Sequence, residues 1–157
     1  MCKTVYDNFK SEHIQYNMFD EVDNPKYPKH ARKAFPILIE RAKSKEQPIG
    51  YNELANQLHI EPYPSRAINI GKWVLPCIST MLYQLEQRTG EKLPRLTNIV
   101  FSYDSLSNSD NWIVRNYKQL HGDVLTWNDY NNKLLAPIHA YEKWEQVSNQ
   151  INEFFDQ

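Results

Sequence analysis

Glycine is scarce in this chain, with four in 157 residues. So few glycines leave little room for Gly-rich phosphate loops or for many left-handed turns. "INIGKW" holds a Gly-Lys pair, but it lacks the first glycine and the preceding strand of a phosphate loop. Cysteine is scarcer still. Cys2 and Cys77 lie far apart and match no zinc or redox spacing. The histidines (His13, His30, His59, His121, His139) include no pair at ligand spacing. Asp104 and Asp110 in "YDSLSNSDNW" fit no EF-hand pattern. No metal and no cofactor is expected. No apolar run is long enough to cross a bilayer, and "MCKTVYDNFK" lacks a signal-peptide pattern. A cytoplasmic protein without a membrane partner is expected. There is no internal repeat and no low-complexity block.

What is present is apolar and aromatic. Hydrophobic residues make up 41% and aromatics 13%, which suffices for a core and excludes a disordered chain. The formal net charge of -1 conceals an asymmetry. From Lys26 to Glu46 there are seven bases (Lys26, Lys29, Arg32, Lys33, Arg41, Lys43, Lys45) against Glu40 and Glu46, a balance of +5. The first 25 residues carry two bases against five acids, a balance of -3. A basic middle beside an acidic flank suits a polyanion-binding face, and it equally suits charge complementarity within the fold.

Periodicity divides the chain. Residues 1–28 lack a regular pattern and contain Pro25 and Pro28, so they read as an extended lead-in to one globular domain, 29–157. Ala34, Phe35, Leu38, Ile39 and Ala42 recur at helical spacing, predicting a helix over 29–45 that Pro36 kinks or opens. "PIGYNELANQLHI" predicts a short second helix with Leu54, Ala55 and Leu58 on one face. Ser65 or Pro64 opens a third, which runs through Ile70, Val74, Ile78 and Leu85 to a Gly90 cap, with Pro76 kinking or dividing it. Ile99, Phe101 and Tyr103 alternate with Asn98, Val100 and Ser102, the period of a strand. "WIVRNY" and "DVLTW" read as further short strands. Ala140, Trp144, Val147, Ile151 and Phe154 predict a terminal helix. The expected fold is α+β: a helix-turn-helix or winged-helix-like core, a small antiparallel sheet and a C-terminal helix.

Two resemblances follow from these motifs. "ILIERAKSKEQPIGYNELA", an Arg-led helix and "LPRLTNIVF" resemble, over Ala34–Phe101, a group of small bacterial and phage proteins with a winged-helix-like centre. The chain departs from that group at Asn52, where a Gly is usual, and at "SYDSLSNSDNW", which replaces a Gly-rich loop. "YNELA", "RAIN" and "LPCIS" are similar to motifs of the DNA-binding domain of DNA alkyltransferases and alkyltransferase-like proteins. That resemblance implies DNA contacts from Tyr51 and Arg66 and puts Cys77 at the alkyl-acceptor position. A thiolate acceptor needs an activating base, and the residue after Cys77 is Ile78 rather than His. Alkyl transfer is therefore excluded.

The leading expectation is a non-enzymatic DNA- or nucleic-acid-binding accessory protein, of bacterial or phage origin, acting first of all on duplex DNA. Ser65, Arg66, Asn69 and Lys72 would line the start of the third helix, with Tyr51 beside them. Lys29, Arg32 and Lys33 would hold the phosphate backbone. Four tryptophans and ten tyrosines also suit a protein-binding inhibitor or immunity protein. A small nuclease using His121 and Asp123 is the third alternative, although His-Gly-Asp is ordinary turn chemistry.

Overall fold

The computed structural model describes residues 5–6, 14–15, 26–60, 69–101 and 112–155. Helix α1 (Lys26–Ser44) starts one turn earlier than the periodicity predicts, with Pro28 in its first turn. Ala31, Ala34, Phe35, Leu38, Ile39 and Ala42 form its buried stripe. Pro36 falls on the exposed side, so the helix passes through it without losing a core residue.

Helix α2 (Tyr51–Gln57) buries Tyr51, Leu54 and Ala55. It ends in a reciprocal cap: His59 N–H donates to the Asn56 carbonyl at 3.2 Å and Ile60 N–H to that of Ala55 at 3.0 Å. This is the bond pair of a Schellman motif, with His59 in the left-handed position that glycine normally takes.

The third helical stretch is continuous from Asn69 to Thr89 but changes pitch. Asn69–Val74 is π-helical and Leu75–Thr89 (α3) is α-helical. Pro76 explains the change. It has no N–H, and its ring would collide with the carbonyl of Lys72 in a regular α-turn, whereas a wider turn relieves both problems. The same event recurs where π-helical Tyr130–Leu135 runs into α6 (Ala136–Ala140) at Pro137. Gly90 caps α3 at φ 74, its N–H donating to the Glu86 carbonyl at 2.8 Å.

The expected α+β architecture is overturned: 76% of the described residues are helical. Leu96–Ile99 is a 3-10 turn rather than the start of a strand. Leu96 to Phe101 is buried without interruption, so the apparent alternation did not mark an outer and an inner face. The segment threads the core, held by Ile49 N–H to the Ile99 carbonyl and Phe101 N–H to the Ile49 carbonyl, both 2.9 Å. The result is a single bridge, Ile49 to Val100, not a sheet. "WIVRNY" lies in a helix, α4 (Trp112–His121), with Ile113 and Tyr117 buried four residues apart. In "DVLTW", a short connector leads into α5 (Trp127–Asp129). Among the described residues no hairpin stands at these places, so the expected antiparallel sheet is not formed there. Strand pairing among the described residues is confined to two-residue segments of the lead-in, β1 (Val5–Tyr6) and β2 (Ile14–Gln15), antiparallel with Tyr6 opposite Ile14. β2 lies against α3.

The terminal helix α7 (Trp144–Phe155) begins after Ala140, which is exposed at the end of α6. Trp144 Nε1 donates to the Ile138 carbonyl at 2.9 Å and fixes the corner between α6 and α7. Among the described residues, no helix is long and apolar enough to cross a membrane.

Candidate nucleic-acid interface

Two polar contacts orient α7 on α1. Arg32 Nη2 donates to Asn152 Oδ1 at 3.2 Å, and Lys43 Nζ meets Glu145 Oε2 at 2.8 Å. The early residue of α1 meets the late residue of α7 and the reverse, so the two helices run antiparallel. Arg88, at the C-terminal end of α3, lies over the rings of Phe154 (4.9 Å) and Phe155 (5.8 Å), also at the end of α7. The start of α1, the end of α3 and the end of α7 therefore converge at one end of the molecule.

This geometry separates residues that the sequence reading grouped. Lys72 is exposed, with Nζ 5.3 Å from the Trp73 ring. It stands sixteen residues before Arg88 on one continuous helix, or roughly 24 Å along the axis. Lys72 and Arg88 therefore stand toward opposite ends of that helix.

Two candidate contact residues belong to the core. Tyr51 is 8% exposed and Asn69 4%, so neither presents a surface to a groove. The apolar pattern of α2 has room for an aromatic at its first turn, and the core takes Tyr51 with Leu54 and Ala55. Ser65 and Arg66 lie outside the described residues.

The basic run of α1 is divided in function. At its C-terminal half, Arg41 Nη2 meets Glu53 Oε2 at 2.6 Å, its Nε lies 3.6 Å from Glu46, and its Nη1 donates to the Gln47 carbonyl at 2.9 Å. The hydrogen bond and charge of Glu145 raise the Lys43 pKa above its ordinary value. These cations hold the connector to α2 and the start of α7. At the N-terminal half, Lys29 and Lys33 are exposed one turn apart and meet no carboxylate among the described residues. Arg32, between them, is half-buried. Arg88 is the basic residue that the sequence reading missed. Its only local signal was a position two residues before the Gly90 cap of α3, and nothing in the sequence tied it to α1.

The other chemistry resolves simply. His121 ends α4, its ring 4.5 Å from that of Tyr117, and Gly122 caps the helix at φ 74 with N–H to the Lys118 carbonyl at 2.8 Å. His121 and Asp123 are both exposed, which makes His-Gly-Asp a helix-ending turn. Nearby, Thr126 Oγ1 accepts from Asp129 N–H at 3.1 Å. The Asp129 carboxylate lies 3.2 Å from Lys133 and accepts from Tyr117 Oη at 3.4 Å. Lys133 foremost holds that carboxyl below its usual range. Cys77 is fully buried, and burial pushes its thiol up to about 12, the reverse of what an acceptor thiolate requires. Among the described residues there is no group of three or more His, Cys, Asp or Glu able to hold a metal. Compared with family models, characterised proteins and solved structures, the chain matches none.

Proposed function

We propose that this chain is a non-enzymatic nucleic-acid-binding accessory protein that grips phosphates with the first half of α1. The carrying observation is the division of charge along that helix. Residues 26–39 hold Lys26, Lys29, Arg32 and Lys33 and no carboxylate; Arg32 is tied to Asn152, while Arg41 and Lys43 beyond them meet carboxylates within the fold. Lys26 and Lys29, in the first turn of α1, oppose the helix macrodipole and weaken the helix, so helix stability does not account for their placement. A polyanion would offset that cost. The reading includes a cytoplasmic setting, where nucleic acid and a free buried thiol are both at home.

Labelled single- and double-stranded oligonucleotides titrated at several salt concentrations test it. Affinity is expected to fall steeply with salt, and replacing Lys29 and Lys33 with Ala is expected to reduce the log–log slope by about 1.5. Absence of salt-sensitive binding to either oligonucleotide would overturn the proposal.

A second reading, a protein-binding module, is favoured by one observation. Val124 is 69% exposed and Trp127 39%, and they stand three residues apart in the chain. An exposed Trp beside an aliphatic residue is the composition of an interface anchor. Recovery of one stoichiometric partner that survives nuclease treatment and is lost in Trp127→Ala would select it.

A further inference from the structure

The end of the molecule where α1, α3 and α7 converge carries more than charge. Arg88 is exposed and its guanidinium lies over two phenylalanine rings. An arginine backed by an aromatic ring is held as a plane, and its outer face is then available for a second stacking partner. Phe154 and Phe155 are only partly buried, so their edges extend this platform. In the same turn of α7 Asn152 ties the platform to Arg32, and Arg32 stands between exposed Lys29 and Lys33. A planar cation on aromatics next to a row of cations is the pairing that binds single strands: the plane stacks a base and the cations follow the backbone. Glu153 is exposed in the same turn of α7 and limits the net positive charge there. Duplex reading has the weaker physical case, because Tyr51 and Asn69 are in the core and Lys72 is at the far end of the helix that carries Arg88.

We infer that the ligand of this site is single-stranded nucleic acid, with Arg88 on Phe154 and Phe155 as the base-stacking platform and Lys29, Arg32 and Lys33 as the phosphate track. The inference rests on the nucleic-acid reading above and specifies its ligand.

Its test is a fluorescence-anisotropy titration of a labelled oligothymidylate against a duplex of equal length, on the full chain. The variants are Arg88→Ala, Arg88→Lys, Phe154→Leu and the double replacement of Lys29 and Lys33 with Ala, each checked by circular dichroism. The single strand is expected to bind more tightly than the duplex. Arg88→Ala is expected to weaken single-strand binding about tenfold. Arg88→Lys keeps the charge but loses the plane, and is expected to weaken it nearly as much. Phe154→Leu keeps an apolar packing residue and tests the ring separately; a several-fold loss is expected. Wild-type affinity in Arg88→Lys, or equal affinity for duplex and single strand, overturns the stacking platform while leaving phosphate binding in place. If neither oligonucleotide binds, the underlying reading falls with it.

Discussion

The amide of Ile60 donates to the carbonyl of Ala55 at 3.0 Å, and the intervening His59 closes that bond from the left-handed region at φ 55. A non-glycine residue held there is strained. His59 is exposed and Ile60 is buried, so the cap is needed and the imidazole is not. His59→Gly is expected to stabilise the protein by about 1 kcal/mol, since relief of strain outweighs the added freedom of the unfolded chain. Thermal unfolding checks this, with a rise of about 3 °C expected. A lowered midpoint would mean that the histidine ring contributes something the cap geometry does not explain.

Thr97 is fully buried on the 3-10 turn, and its Oγ1 meets no hydrogen-bond partner among the described residues. A buried hydroxyl left without a partner costs about 1–3 kcal/mol. Thr97→Val keeps the shape and removes the hydroxyl, so it is expected to raise stability by about 1 kcal/mol, read as a higher urea midpoint at unchanged slope. Loss of stability would point to a partner for that oxygen.

The two halves of α1 are expected to separate in mutagenesis. Lys43→Glu sets like charges where Lys43 now meets Glu145, and should lower the melting temperature. Adding Glu145→Lys should restore it. Neither change is expected to alter the salt dependence of nucleic-acid binding. Lys29→Ala is expected to do the opposite, lowering the salt slope with little effect on melting. The two measurements on the two variants give a crossed pattern, and a parallel response would show that the helix is not divided in this way.

Cys77 should behave as a buried apolar residue. In a Cys2→Ser background, a disulfide reagent at pH 8 is expected to leave the native thiol unmodified and to label it fully in denaturant. Burial disfavours the thiolate and pushes the folded thiol up to about 12, well above the ordinary range of a free cysteine. The raised value contributes stability that is complete below the ordinary thiol pKa. That stability is lost as pH climbs from about 9 towards 12. Fast labelling of the native protein would place the thiol at the surface.

Helix positions were legible where the apolar residues recur at short range. The stripe Ala34, Phe35, Leu38, Ile39, Ala42 and the set Trp144, Val147, Ile151 are buried, because helical spacing alone puts them on one face. Gly90 is at φ 74, because a left-handed cap selects glycine. The segment "LTNIVF" misled for a physical reason. Alternation of residue types signals a strand only when one side faces water, and here both sides face the core. "WIVRNY" misled because β-branched and aromatic residues suggest strand, while burial of Ile113 and Tyr117 one turn apart came from packing.

The sequence by itself determined which faces are apolar, where helices stop and how much positive charge α1 carries, since all of these depend on residues within a few positions of one another. Only the tertiary structure decided which of those charges meet carboxylates, that Tyr51 and Asn69 face inward, and that Arg88 joins Phe154 and Phe155. Those outcomes depend on which helix lies beside which and in what direction. Local periodicity is the same for either direction of packing, so it could not specify the neighbour.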